Sequence, residues 1–149
     1  MRRYAESDAF ADVMEALELA TVEALDQPEG RHHNLAAIFA RVNAEYFDGA
    51  LARPRLTWNK SITHRKMGHY RFPTDTVLIS ITLDSPDVPA YVVEFVMYHE
   101  LLHKEMGFKV VNGRRYAHTS EFQEAERRFA RYEEAKAFMQ RLGADLQRL

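Results

Sequence analysis

Apolar and polar positions along the chain change their period twice. Between residues 7 and 25, Phe10, Val13, Met14, Leu17 and Leu25 recur at helical spacing, with acids largely opposite them. Apolar residues three and four apart form one stripe on a 3.6-residue helix, so the pattern predicts an amphipathic helix capped by Ser7 or Asp8. Gln27-Pro28-Glu29-Gly30 breaks the pattern and reads as a linker. Leu35, Ile38, Phe39, Val42 and Tyr46 then follow Asn34, a good N-cap, and Asp48-Gly49 ends a second predicted helix over 34–47.

The middle of the chain loses that period. Stretches 55–58, 68–72 and 76–82 are short, dense in aromatic and β-branched residues, and separated by turn formers. They predict a small, mostly antiparallel sheet of three strands, with Pro73-Thr74-Asp75 as a hairpin turn. The helical period returns after Asp84–Pro89 and runs to Met106, with Gly107 as the stop. Val92, Val93, Phe95, Val96, Met97, Leu101 and Leu102 cover nearly the whole circumference, which predicts a central, buried helix. A loop is expected to about residue 119. Ser120-x-x-Gln123 then reads as a capping box opening a last helix to about 141, with Phe122, Phe129, Tyr132 and Met139 on one face. The expected fold is a single α+β domain: an acidic helix and linker over 1–29, then the main body over 30–149.

Composition changes this picture in a few places. The 149 residues contain no apolar run long enough to span a membrane, and the first residues carry no uninterrupted apolar stretch, so no secretory signal is expected. There are no cysteines, which excludes disulfides, thiolate zinc sites and cysteine nucleophiles together and fits a cytoplasmic protein. The formal charge of -2 conceals a segregation. Residues 4–30 hold eight acids and no Lys or Arg; residues 53–71 hold six bases and no acid. Within the basic tract, Arg55, Trp58, Lys60, Arg65, Lys66 and Arg71 are candidates for contact with single-stranded DNA, by phosphate pairing and base stacking. The plainer reading is a solvated sheet face with Trp58 in the core.

The buried helix carries His99-Glu100-Leu101-Leu102-His103. Four residues turn through about 400°, so both imidazoles lie on one side, roughly 6 Å apart along the axis, and can reach one metal ion. Neutral imidazole suits zinc, and Glu100 beside the first ligand can act as general base. With 7 His and 14 Glu, shuffled chains show the pattern in roughly 3% of cases, so context decides. Two histidines and a glutamate on an otherwise apolar helix are costly without a compensating partner, and a metal satisfies all three. Tetrahedral zinc wants a further ligand. A histidine six residues after His103 would mark a metzincin, but that residue is Lys109. His118 is the next candidate, with Glu121 and Glu124 as carboxylate competitors; if His118 ligates, Glu121 is a candidate to orient a ligand.

These residues resemble a known family. His99-Glu-x-x-His103, a loop, then His118-Thr-Ser-Glu-Phe122 is similar to the SprT-like zinc metalloprotease domain, the Spartan-related family. Tyr46-Phe47-x-Gly49-x-Leu51, Leu56-Thr-Trp58 and Gly68-His-Tyr70 agree with the helix and sheet that precede its active-site helix. The resemblance covers about residues 35–129, and Thr119 stands where members often carry Gly. It implies a zincin-like fold, Zn2+ held by His99, His103 and His118, and Glu100 as the catalytic base of an endopeptidase. It also implies protein substrates, including proteins bound to DNA. Tyr116, His69 and Tyr70 are candidate donors to the tetrahedral oxyanion, each with packing as its plainer role. A substrate could add as a strand to the sheet edge. Two rivals stand beside this reading: a zinc hydrolase with a non-protein substrate, and a zinc-stabilised nucleic-acid-binding or adaptor protein. Glu100 argues against the second, since a purely structural site needs no base.

Overall fold

The computed structural model of the chain describes residues 13–14, 26–60 and 66–143. Val13 and Met14 are helical; the rest of the helix predicted over 7–25 lies outside the described residues. The first complete helix, α1 (Leu35–Tyr46), starts where Asn34 accepts from the backbone N–H groups of Ala36 and Ala37. It buries Leu35, Ile38, Phe39 and Val42, as their spacing requires. Strands β1 (Arg55–Asn59), β2 (Gly68–Arg71) and β3 (Thr76–Ser80) follow. The residues after β3, Ile81–Leu83, form a 3-10 turn rather than continuing the strand.

The sheet order is β1-β3-β2. β2 and β3 form an antiparallel hairpin around Asp75, whose φ of 47° sits in the left-handed region that Asn and Asp tolerate best. β1 runs parallel to β3, pairing Arg55 with Thr76 through Asn59 with Ser80. Period-two alternation puts Leu56, Trp58, Val77, Ile79 and Tyr70 on the core face, with Gly68 beside them.

Helix α2 (Ala90–Met106) begins after Pro89, which is pre-set for a helix start, and ends at Gly107 with φ 67°. It packs against α1, β2 and β3 and, on its other side, against α3 (Ser120–Glu126) and α4 (Tyr132–Arg141). Val92, Val93, Phe95, Val96, Met97, Tyr98, Leu101 and Leu102 are buried around its whole circumference, and each large apolar side chain removed from water contributes roughly 1.5–3 kcal/mol. No helix among the described residues is long and apolar enough to cross a membrane.

The C-terminal third differs from the expectation in three ways. The loop after Gly107 contains an antiparallel hairpin, β4 (Lys109–Val111) and β5 (Arg114–Tyr116), turned by Asn112-Gly113, both at positive φ. Two of the three strand pairings are therefore antiparallel among the described residues, and β1–β3 is the exception. The single last helix is two helices. Ala130 donates its N–H to the Tyr46 hydroxyl, and Phe129 turns into a ring cluster with Tyr46, Tyr98 and Phe95. That tertiary packing interrupts a segment with neither Gly nor Pro. Finally, the cap of α3 is Thr119, whose hydroxyl accepts from the Phe122 N–H, rather than Ser120.

Candidate metal centre

His99 and His103 lie on the buried face of α2 that looks toward α3. His99, Glu100 and His103 are almost fully buried, and the short approach to α3 brings in His118. The Nε2 atom of His99 lies 3.2 Å from the Nε2 of His103 and 3.2 Å from the Nε2 of His118. One ligand atom from each histidine falls within 4.8 Å of the others. Two nitrogens bound tetrahedrally at the usual zinc distance are about 3.3 Å apart, so these spacings fit one zinc ion.

Two side chains from α3 build the surroundings. Phe122 is fully buried and touches all three imidazoles: it stacks on His103 at 4.6 Å between centroids and meets His99 and His118 edge to face. One turn further along, Glu126 accepts a 2.6 Å hydrogen bond from His99 Nδ1. A carboxylate there requires the proton on Nδ1, which leaves the Nε2 lone pair of a neutral ring for a metal. Tyr98 donates to the Ala125 carbonyl at 2.6 Å, tying α3 to α2 beside that carboxylate. Phe122 and Glu126 were not singled out for the site by the sequence reasoning. Their signal was the i, i+4 step that puts both on one helix face, four and eight residues past His118.

Glu100 points to the other side, toward the sheet. It is fully buried, and neither carboxylate oxygen has a hydrogen-bond partner among the described residues. Burial pushes its carboxyl up to about 7. Room for the carboxylate comes from Gly68 on β2. A Cβ on residue 68 would lie 2.7 Å from Glu100 Oε2 and 2.7 Å from Val96 Cγ1. A buried carboxylate without a partner among the described residues, on the same helix as two of three convergent imidazoles, is the arrangement that a metal-activated water would satisfy.

The remaining candidates lie elsewhere. Tyr116 is exposed on β5, two residues before His118. Tyr70 donates to Asp75 Oδ1 at 2.6 Å, and burial followed by that bond raises its phenol well above the ordinary value. His69 is half-buried and, by strand alternation, faces away from Gly68's contacts with Glu100. It lines a cleft of about 280 Å³ with Asn59, Lys66 and Arg71, and burial followed by those two cations lowers its pKa. Glu121 is exposed at the start of α3, with Lys109 Nζ 3.5 Å away. The carboxylate on His99 is that of Glu126 instead.

The basic tract is only partly a surface. Trp58 is buried and donates its Nε1–H to the Pro28 carbonyl at 3.1 Å, which corrects its candidacy for base stacking. Tyr70 is buried too. Arg55 is half-buried; Lys60, Lys66 and Arg71 are exposed; Arg65 lies outside the described residues. Arg55 and Arg71 flank Thr76 in register on the outer face of the sheet. Comparison of the chain with protein-family models and with curated proteins finds no match.

Proposed function

We propose that the chain is a zinc-dependent endopeptidase of the SprT-like, zincin-like kind. The observation that carries the reading is the pairing of three convergent imidazoles, two of them on α2, with one buried carboxylate on α2 that has no partner among the described residues. His99, His103 and His118 would hold the ion through Nε2, and Glu126 would orient His99 from behind. Bound zinc would supply a water of near-neutral pKa and polarise the scissile carbonyl.

The chain's own residues do the rest. A Glu100 carboxylate oxygen takes the proton of the attacking water and passes it to the leaving amine nitrogen, so the proton balance closes within one turnover. The buried position between α2 and β2 favours that transfer, because among the described residues no competing donor holds the carboxylate. Strand β2 is an edge of the sheet, and an extended substrate can pair with it above Glu100. Single-stranded DNA falls outside the proposal, since Trp58, the aromatic residue offered for stacking, is buried.

The test is the Glu100→Gln variant digesting an unfolded protein, with zinc content measured in parallel. The expected result is bound zinc retained and hydrolysis lowered by about a hundredfold or more. Substantial cleavage by zinc-loaded Glu100→Gln would overturn the assignment. Cleavage of small amides but of no unfolded protein by the wild-type chain would favour a non-protein substrate.

A further inference from the structure

The described residues expose eight large hydrophobic side chains, and six of them belong to one neighbourhood: Phe72, Met106, Phe108, Val110, Val111 and Tyr116. Scattered exposed apolar residues are ordinary, but a gathered set marks a binding surface. Val110 and Val111 are 62% and 51% exposed, on a hairpin whose six strand residues are all exposed. A two-stranded hairpin gains little stability in water by itself. β-Branched residues on both of its faces are better explained by something that covers them.

The hairpin's place in the chain says what. Its roots are two proposed metal ligands: Phe108 follows His103 by five residues, and Tyr116 precedes His118 by two. A line of ring contacts joins it to the strand behind Glu100. Tyr70 of β2 meets Phe72 at 4.9 Å, Phe72 meets Phe108 at 5.3 Å, and the Arg115 guanidinium lies 4.5 Å over Phe108. A line of ring contacts therefore runs from the strand that carries Gly68 to the root of the hairpin, whose strands expose Val110 and Val111.

Charge narrows the occupant. Residues 106–119 contain Lys109, Arg114 and Arg115 and no acid. The register places an apolar residue beside a base on both faces: Val110 opposite Arg115 on one, Val111 opposite Arg114 on the other, with Lys109 opposite Tyr116. The Lys109–Glu121 pair is exposed on both sides and holds the lysine weakly. A flat lipid surface would call for apolar and basic residues on separate faces; here each face mixes them, as suits side chains alternating along a peptide.

We propose that the β4–β5 hairpin, with Phe72 and Phe108 at its root, is a recognition surface for an extended substrate segment bearing aliphatic or aromatic residues next to acidic ones. The proposal rests on the endopeptidase reading and assigns that site its substrate chemistry.

Two measurements test it with the zinc-loaded full chain. Fluorescence anisotropy on the Glu100→Gln background follows two short labelled peptides with the same aliphatic anchors, one carrying Asp and Glu, the other Lys and Arg. The acidic peptide is expected to bind about tenfold tighter or more, and V110S/V111S to weaken it by about tenfold with unchanged circular dichroism. R114E/R115E is expected to reverse the preference. On the otherwise wild-type chain, V110S/V111S is expected to raise KM for the acidic peptide by a similar factor and leave kcat unchanged. Equal binding of both peptides, or cleavage indifferent to the hairpin variants, overturns the proposal and leaves the endopeptidase reading standing. Hairpin-dependent binding without any cleavage by the wild-type chain supports the surface and removes the protease reading. Valine-dependent binding to phosphatidylserine vesicles, or valine-dependent self-association, with no peptide binding, overturns it in favour of a lipid or a second copy.

Discussion

Glu126 and Gly68 act on the site through other residues, one on each side of α2. Glu126 fixes the tautomer and orientation of His99, and such a partner typically matters 10–100-fold for metal affinity. Glu126→Gln keeps an acceptor but loses the charge. Zinc affinity measured by competition with a chromophoric chelator is expected to fall by about tenfold or more, with Glu121→Gln unchanged as the control. Gly68 works by leaving space. In Gly68→Ala the new methyl would displace the Glu100 carboxylate or Val96, and on the proposed endopeptidase reading such a shift of the base costs about a hundredfold. The expected result is a fall of that order in kcat with zinc affinity unchanged. An alanine variant of full activity would show that Glu100 has another way to sit.

At the scale of elements, the segment ahead of α1 is a strap. Asp26 accepts from the Leu56 N–H at 2.9 Å, and Pro28 accepts from Trp58 and from the Leu35 N–H. Further along the strap, the backbone N–H groups of Arg31, His32 and His33 all donate to Asp84, just ahead of α2. Burial pushes the Asp84 carboxyl up, but those three donors together outweigh it and leave it below the ordinary value of 3.8. A carboxylate with a depressed folded pKa stabilises the fold at pH above its unfolded value, and that stability is lost as pH falls through the folded one. Asp84→Asn is expected to cost about 1–2 kcal/mol near neutral pH, read as a lowered Tm. The difference from wild type should persist down to about 3.8 and shrink only in more acid solution. A gap independent of pH would show that the charge on Asp84 contributes nothing.

For the whole molecule, the core and the candidate metal centre are separable. The buried apolar set spans α1, the sheet, α2 and both C-terminal helices, whereas the imidazoles occupy only the seam between α2 and α3. Removing zinc with a chelator is therefore expected to lower Tm by about 5–10 °C, the linkage term for a ligand near a hundred times its Kd, and to leave far-ultraviolet circular dichroism intact. Collapse of the helical signal would instead make the metal a structural staple. The charge segregation also looks different at this scale. The acidic segment meets the basic one at Asp26–Arg53, 3.4 Å apart and partly exposed, a contact worth little. Most of the acidic segment lies outside the described residues.

Much of this was legible because it is local. Asn34, Pro89 and Gly107 mark helix ends through their own backbone chemistry, and the i, i+4 histidines share a face by helical geometry alone. Other features depend on distant neighbours. Glu121 and Glu126 are both acids on the same short helix, and only its docking against α2 decides that Glu126 meets His99. Trp58 reads as a stacking platform until the strap's Pro28 carbonyl takes its N–H. The break after Glu126 has no Gly or Pro to announce it, because it is made by the Tyr46 hydroxyl, more than eighty residues upstream. By itself, then, the chain's local chemistry determined the helix that carries His99, Glu100 and His103, and the absence of cysteine confined any metal to imidazole and carboxylate. Only the tertiary structure decided which acid supports His99, which glycine makes room for Glu100, and that the loop to His118 is an exposed hairpin, since each depends on packing between segments far apart in sequence.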